Sequence, residues 1–321
     1  MKKHLIGIDI GGTKCAISYG LYDGENIELI SKEKIKTGKP QETLSQLKEL
    51  IEKVLNNQQL VPSDISAMGI SCGGPLDSQK GVILSPPNLP GWDQIAIVEY
   101  FESYFHVPVY LQNDANACAV AEWRIGAGRG TQNMVFLTFG TGLGAGLILN
   151  GQLYAGTNSN AGELGHIRLG DYGPVGYGKS GSFEGFCSGG GIAQLARLMV
   201  MEKLQQGETV NWCSREHIND ITAQQVAEAA FQGDELAKKI YKISATYLGK
   251  GLAIVIDLLN PDMIVIGSIY TRAKQLMEAS LREVLEQEAL PQAYQVCQIK
   301  PAVLEENIGD YAALSVATLN L

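Results

Sequence analysis

Apolar positions along the chain follow two periods, and the switches between them mark its elements. Leu5 to Ile10 is a short β-rich run, Gly11-Gly12-Thr13-Lys14 a polar turn, and Cys15 to Tyr19 a second run. Asp23-Gly24 marks another turn before a third run, Ile27 to Ile35. The same order returns later with Met134 to Phe139, then Gly140-Thr141-Gly142-Leu143-Gly144, then Ala145 to Leu149. Asn150-Gly151 follows as a hairpin turn before Gln152 to Ala155. A strand, glycine turn, strand, turn, strand unit that occurs twice, each time followed by helices and more strands, predicts two similar α/β halves facing each other across a cleft.

Helical spacing fills the intervals. Thr43 to Leu55 carries Leu44, Leu47, Leu50, Ile51, Val54 and Leu55 on one face. Ile65 to Ser71 predicts a buried strand leading into Cys72-Gly73-Gly74-Pro75-Leu76-Asp77, and Ser85-Pro86-Pro87-Asn88-Leu89-Pro90-Gly91-Trp92 a rigid loop. In the second half, Ile192 to Leu204, Ala223 to Phe231, Asp234 to Leu259 and Thr271 to Glu288 predict helices, Met263 to Ile266 a strand, and Asp310 to Leu319 a last helix.

One handover stands apart. The apolar run Val107 to Leu111 ends abruptly in Gln112-Asn113-Asp114, after which small helix-forming residues begin. Asp114 therefore falls where a strand passes into a helix. On this segment alone a helix cap is the commoner use of such a residue, and a catalytic carboxylate the rarer one.

Composition narrows the partners. Acidic residues outnumber basic ones, 34 to 25, for a net charge of −9 over 321 residues, which argues against a nucleic-acid surface. No apolar run approaches a membrane span, and Met1-Lys2-Lys3-His4 leads into a strand without a cleavage pattern, so a cytoplasmic protein with no membrane partner is expected. Cys15, Cys72, Cys118, Cys187, Cys213 and Cys297 are scattered without a C-x-x-C pair, which suits buried thiols.

The glycine turns supply the chemistry that Asp114 lacks by itself. Asp9-Ile10-Gly11-Gly12-Thr13-Lys14 presents backbone N–H groups without Cβ obstruction, with a hydroxyl and a cation at its end, a set that can cradle a phosphate. Asp9 would repel an anion directly, so its natural task there is to hold Mg²⁺ through water. Gly140-Thr141-Gly142 repeats the cradle. Either turn alone is as well read as a plain hairpin; the pair, in duplicate units, is not.

These turns, with Asn113-Asp114-Ala115-Asn116-Ala117 and Glu163-Leu164-Gly165-His166, resemble the ROK family of bacterial sugar kinases and repressors, within the hexokinase/actin-like ATPase superfamily. The resemblance covers nearly the whole chain. It implies two α/β domains of the actin-like ATPase (ribonuclease H-like) type: residues 1–118 with the first phosphate turn and sugar-side loops, and 119–309 with the second turn, with 310–321 packing back on the first. It implies that Asp9, Gly11, Gly12, Thr13, Lys14, Gly140, Thr141 and Gly142 bind ATP phosphates with Mg²⁺, and that Asp114 is the base for the accepting hydroxyl. Asn88, Asn113, Glu163, His166 and Glu184 would be hydrogen-bonded to the sugar, a small-molecule substrate. Asn260-Pro261-Asp262 to Gly267 resembles the nucleoside-side segment, although Gly267-Ser268-Ile269 departs from the usual glycines. A homodimer is also implied.

A sugar's hydroxyls both donate and accept, so fixed carboxylates, amides and an imidazole suit it. Each residue has a duller use alone: His166 as a half-buried histidine, Glu163 as a surface charge, Asn88 as a turn residue, Glu184 at a helix entry and Trp92 in packing.

The family's C-x-C-G-x-x-G-C-x-E zinc motif corresponds here to Val175-Gly176-Tyr177-Gly178-Lys179-Ser180-Gly181-Ser182-Phe183-Glu184. The glycines and Glu184 remain and the thiols do not, so no zinc is expected and the loop must be held by packing. The resemblance implies transfer of the ATP γ-phosphoryl to a hexose or N-acylhexosamine hydroxyl. The alternatives are a sugar-responsive transcriptional regulator, whose helix-turn-helix would precede the first strand where only four residues precede Leu5, and a sugar-binding protein without turnover.

Overall fold

The run KHLIGIDI is apolar at nearly every position, and it forms β1 (Lys3–Ile10) in the middle of a sheet, buried along most of its length. The computed structural model describes residues 2–321, with Glu306 through its backbone alone. From β1 the chain turns into β2 (Lys14–Tyr22) and β3 (Ile27–Lys36), whose alternating burial marks an edge strand, and then α1 (Pro40–Asn57) with Pro40 in its first turn. There follow β4 (Ile65–Cys72), the small hairpin β5 (Leu76–Asp77) and β6 (Val82–Ile83), α2 (Ile97–Phe105), β7 (Val109–Asn113) and α3 (Asp114–Ile125). The sheet order is β3-β2-β1-β4-β7, with β1 to β3 antiparallel and β1, β4 and β7 parallel.

The second pass repeats this plan. It comprises β8 (Met134–Phe139), β9 (Leu143–Leu149), β10 (Gln152–Tyr154), the hairpin β11 (Val175–Gly176) and β12 (Lys179–Ser180), α4 (Phe183–Cys187), α5 (Gly189–Gln205), α6 (Ala223–Phe231), α7 (Glu235–Leu259), β13 (Met263–Ile266), α8 (Ile269–Glu288), α9 (Pro291–Val296), β14 (Gln298–Pro301) and α10 (Ile308–Val316). Its sheet order, β10-β9-β8-β13-β14, matches the first strand for strand. The internal repeat is therefore a repeated topology. Eight elements lie outside the runs picked from the sequence: the strands β5, β6, β11, β12 and β14 and the helices α2, α4 and α9. The short ones offer too few residues for a period to register.

The chain forms two compact units. Unit 1 takes in the chain up to Gln132 together with Gly146–Ala161 and Val303–Leu321; unit 2 is Asn133–Ala145 and Gly162–Ala302. The division thus falls at 132/133 and not at 118/119, because α3 continues unbroken past 118 and is locked into unit 1 by Glu122. That carboxylate is fully buried and accepts from three backbone N–H groups, Ala127 at 2.8 Å and Val303 and Leu304 at 2.9 Å each.

Unit 1 has a large core under its sheet, with Ile6, Ile8, Ile17, Met68, Ile70, Leu47, Ile51 and Phe101 among its members. On the sheet's other face Leu314 and Ala317 at the end of α10 pack against Leu5 and Ala67, and α10 meets α3 through Ala117, Ala121, Ala312 and Val316. In unit 2, β8 and β13 are buried throughout apart from half-exposed Thr138, and α7 packs on α8 where a Cβ at Gly249 would lie 2.7 Å from Val284. Among the described residues no helix is long and apolar enough to cross a membrane.

Candidate active site

Within unit 1, the turn between β1 and β2 is closed by the Gly11 N–H donating to the Lys14 carbonyl at 3.1 Å, and Thr37 Oγ1 donates to the Gly11 carbonyl at 2.6 Å. Gly12 admits no side chain, since a Cβ there would lie 2.5 Å from the Asn88 carbonyl oxygen. Thr13, Lys14 and Asn88 are exposed at this turn. The Asn88 amide also lies beside Gly73, so the turn, the loop after β4 and the 85–92 loop meet in one place.

Asp9, half-buried near the end of β1, has its carboxyl pushed up to about 6. Burial is the main cause, followed by the negative charges of Asp310 and Asp114, with Lys32 and Lys14 opposing. Asp310 is buried at the start of α10, where it accepts from Ser18 Oγ at 2.9 Å and pairs closely with Lys32. Asp9, Lys14, Lys32 and Asp310 line a cavity of about 120 Å³. Ser18, Lys32 and Asp310 are additions to the sequence-derived set. The available signal was a lone carboxylate opening an otherwise apolar helix, Ile308-Gly309-Asp310-Tyr311-Ala312.

The head of α3 resolves which residue caps it. Asn113 is the cap, its Oδ1 accepting the Asn116 N–H at 2.7 Å, so the commoner use belongs to the neighbour of Asp114. Asp114 occupies the first helical turn, exposed to solvent, and accepts the Ala115 N–H at 2.8 Å. Its carboxyl is nonetheless raised above the ordinary carboxylate range, because displacement of water by the surrounding protein outweighs the stabilising N–H groups.

Unit 2 holds the second turn. The Gly140 N–H donates to the Gly142 carbonyl at 3.1 Å, and the Gly140 carbonyl accepts the Gly189 N–H at 2.7 Å. That bond brings the N-terminus of α5 against the turn, with Ser188 capping the helix by accepting from Gly191 N–H at 3.0 Å. A helix N-terminus beside a glycine turn concentrates N–H donors for an anion. Ser188, Gly189, Gly190 and Gly191 escaped the sequence reading because three glycines are poor helix formers. Gly267 donates to the Leu137 carbonyl at 2.9 Å, and a Cβ on Gly140 would lie 3.6 Å from Ser268 Oγ, so the segment that ends β13 adjoins the turn.

Glu184 is the hub of this unit's site. Its Oε2 accepts the Leu143 N–H at 3.0 Å, and Gly142, Gly165 and Gly176 all approach so closely that a Cβ on any would meet Glu184 atoms at 2.8–3.2 Å. The segment Glu163 to His166, the second turn and the 175–180 hairpin are thus fastened to one side chain. Glu163 is exposed and His166 half-buried. Trp92, in unit 1, is buried and donates from Nε1 to the Gly38 carbonyl at 3.1 Å, a packing role.

The hairpin does not fit a tetrahedral zinc. Val175 has no donor atom, the Tyr177 ring lies against His166, and the Ser182 hydroxyl caps α4 by accepting from Gly185 N–H at 3.0 Å. Hydrogen bonds hold the loop: the Gln194 amide pairs with both backbone groups of Val175 at 3.0 and 2.8 Å, and Lys179 Nζ donates to the His166 carbonyl at 2.6 Å. Among the described residues no three His, Cys, Asp or Glu side chains form a metal-binding group.

The predicted residues therefore fall into two sets, Asp9, Gly11 to Lys14, Asn88, Asn113 and Asp114 in unit 1, and Gly140 to Gly142, Glu163, His166, Glu184 and Gly267 in unit 2. A profile of the ROK family matches residues 5–318. A glucokinase from Halalkalibacterium halodurans is 30% identical over 95% of this chain and 92% of its own length. A xylose repressor from Caldicellulosiruptor bescii is also 30% identical, over 94% of this chain and 75% of the repressor. The crystal structure of a ROK family glucokinase from Streptomyces griseus, in complex with glucose and AMPPNP, matches with a TM-score of 0.75 at 28% identity, covering 98% of this chain and 99% of that one. The fold is the two-domain α/β actin-like ATPase fold of these sugar kinases.

Proposed function

Since the chain is a member of the ROK family, we propose that it transfers the γ-phosphoryl group of ATP to a hydroxyl of a hexose or N-acylhexosamine, with Asp114 as general base. The observation that carries this reading is the division of labour at α3: Asn113 makes the cap and Asp114 is left with an exposed, elevated carboxylate. A carboxylate raised towards the working pH accepts a proton more readily than an ordinary one.

The roles follow from donor chemistry. Gly11 and Gly140 spend their own N–H groups closing the two turns, so the backbone N–H groups of Gly12 and Gly142, the hydroxyls of Thr13 and Thr141 and the Lys14 ammonium bind the phosphates, with the Gly190 N–H at the head of α5 beside the second turn. Asp9 fits a cation site: its carboxyl is raised by burial and then by the neighbouring carboxylates of Asp310 and Asp114, and Mg²⁺ held there through water would offset that repulsion and neutralise phosphate charge. Asn113 spends its oxygen on the cap and donates its amide N–H groups to the sugar, as Asn88 can. Glu184 commits one oxygen to the Leu143 N–H and offers the other to a hydroxyl beside Glu163 and His166. Gly267 borders the nucleoside.

The test is ADP release with glucose, N-acetylglucosamine, N-acetylmannosamine, fructose and allose in turn, with Mg²⁺ and ATP. Sugar-dependent ADP release is expected with at least one. The similarity to a xylose repressor supports a second reading, a sugar-responsive regulator using the same contacts. Sugar binding by calorimetry without ADP release would favour it.

A further inference from the structure

Tyr177 occupies a position that suits few residues. It and Gly178 form the two-residue loop between β11 and β12, with φ of 45° and 77°. Two positive φ values in a two-residue hairpin are the type I′ pattern, which favours Asn, Asp or Gly and strains a bulky residue. The side chain gains little burial in return, being 69% exposed. A tyrosine there is poor design for a turn.

Among the described residues its ring contact is with His166, centroids 4.9 Å apart and planes at 84°, a perpendicular packing. The backbone on both sides is fixed. Lys179 Nζ holds the His166 carbonyl, Gly176 packs against Glu184 so tightly that a Cβ would lie 2.8 Å from its Cβ, and Gln194 clamps Val175. Among the described residues no hydrogen bond reaches either imidazole nitrogen. An imidazole rotates broadly about χ2 unless something holds its plane. A carbonyl or metal partner would hold it by occupying a nitrogen; a perpendicular aromatic ring restrains it by packing, without a carbonyl or metal on either nitrogen.

We propose that Tyr177 is the positioning residue of His166: it fixes the plane of the imidazole while leaving both nitrogens for the hydroxyls of the sugar. The inference rests on the assignment of His166 to the sugar, and it adds a residue that a thiolate-based loop would lack. Binding then avoids ordering the ring, a saving that corresponds to about a three- to tenfold change in affinity for one immobilised side chain.

The experiment compares Tyr177→Gly, Tyr177→Phe and the parent protein by three readouts. Tyr177→Gly suits the turn, so its melting temperature should equal or exceed the parent's; the His166 imidazole proton resonances should lose the ring-current displacement caused by the tyrosine. KM for glucose or N-acetylglucosamine, whichever the parent phosphorylates, should rise about three- to tenfold with a smaller change in kcat. Tyr177→Phe keeps the ring and should restore both the resonances and KM. A lower melting temperature in Tyr177→Gly with unmoved His166 resonances would make Tyr177 a structural turn residue and overturn the proposal. An unchanged KM would also overturn it. If the parent protein phosphorylates neither sugar, the kinase reading fails separately; calorimetry with the same sugars then replaces KM, and an unaltered affinity in Tyr177→Gly again decides against positioning.

Discussion

Asn113 and Asp114 are neighbours of similar size that the fold uses differently, Asn113 as the helix cap and Asp114 in the first turn with its carboxylate exposed. A carboxylate in the first turn of a helix is expected to be a weak base, because the N–H groups there favour its charge. Loss of water outweighs that effect at Asp114, and its carboxyl rises. Asp114→Asn keeps the shape and removes the basic site, so ADP release should fall by about 10²- to 10⁴-fold while sugar affinity by calorimetry largely survives. Turnover within a few-fold of the parent would remove Asp114 from the proton transfer. Asp9 permits a prediction with a defined sign. Its carboxyl stands at about 6 in the folded chain against 3.8 as a free side chain. The native state therefore holds the extra proton between those values, and ionising Asp9 costs native stability as pH rises through about 6. Asp9→Asn in Mg²⁺-free buffer should therefore be more stable at pH 7.5, by at most about 3 kcal/mol, with the gain vanishing below about pH 4. Equal denaturant midpoints at both pH values would show that burial of this charge is not a cost to the fold.

At the scale of elements, the sequence discloses what is periodic and local. Both glycine hairpins, α1, α6, α7 and the strands β1, β4, β8 and β13 show their own period, and each forms where that period runs. The handover at 113–114 is legible for the same reason: strand, polar triplet and helix are contiguous. The start of α5 is not, because Gly189 to Gly191 become helical only through the Ser188 cap and the bond from Gly189 to Gly140. Asp310 is hidden for a different reason, since its partners Ser18 and Lys32 lie in the first two hairpins and only the completed sheet brings them to α10. The β11–β12 hairpin lies between these cases: the missing thiols are visible in the sequence, while the replacement is tertiary. Gln194, Lys179 and the Ser182 cap hold the loop by hydrogen bonds, and Phe186 stacks on Tyr247 beneath it at 3.4 Å. Such a loop does not draw folding energy from a metal. Purified protein should contain far less than one zinc per chain by elemental analysis, and EDTA followed by restored Mg²⁺ should leave melting temperature and ADP release unchanged. Zinc near one per chain would require ligands outside this hairpin.

Across the whole molecule, unit 1 is assembled from three separate stretches, and its last one arrives only at Val303. What that stretch does is set by glycines on three adjacent strands. A Cβ on Gly7 of β1 would lie 2.9 Å from the Leu314 nitrogen, one on Gly20 of β2 2.9 Å from the Leu314 side chain, and one on Gly69 of β4 2.1 Å from the Ala313 carbonyl oxygen. Gly7 and Gly69 are direct partners in the β1–β4 register. The sheet face is thus hollowed to accept helix backbone, and Ala312, Ala313, Leu314, Val316 and Ala317 are fully buried on it. Glu122 anchors the approach to α10 through the Val303 and Leu304 N–H groups, and Asp310 joins it to β2 and β3. No side chain of the sheet could fill that hollow, because glycine has none to reorient. A chain ended at Ala302 would expose the groove, strand the buried Glu122 carboxylate with one donor in place of three, and deprive Lys32 of its partner. Leaving such a group short of its partners costs several kcal/mol, comparable with the net stability of a domain. The truncated protein should therefore lose unit 1 selectively. By hydrogen exchange, β1, β2 and β4 should exchange at rates near those of an unfolded chain while β8 and β13 stay protected. A peptide of residues 303–321 added in trans should restore protection to unit 1, and full protection of β1 in the truncated chain without it would show that α10 is dispensable to the sheet it covers.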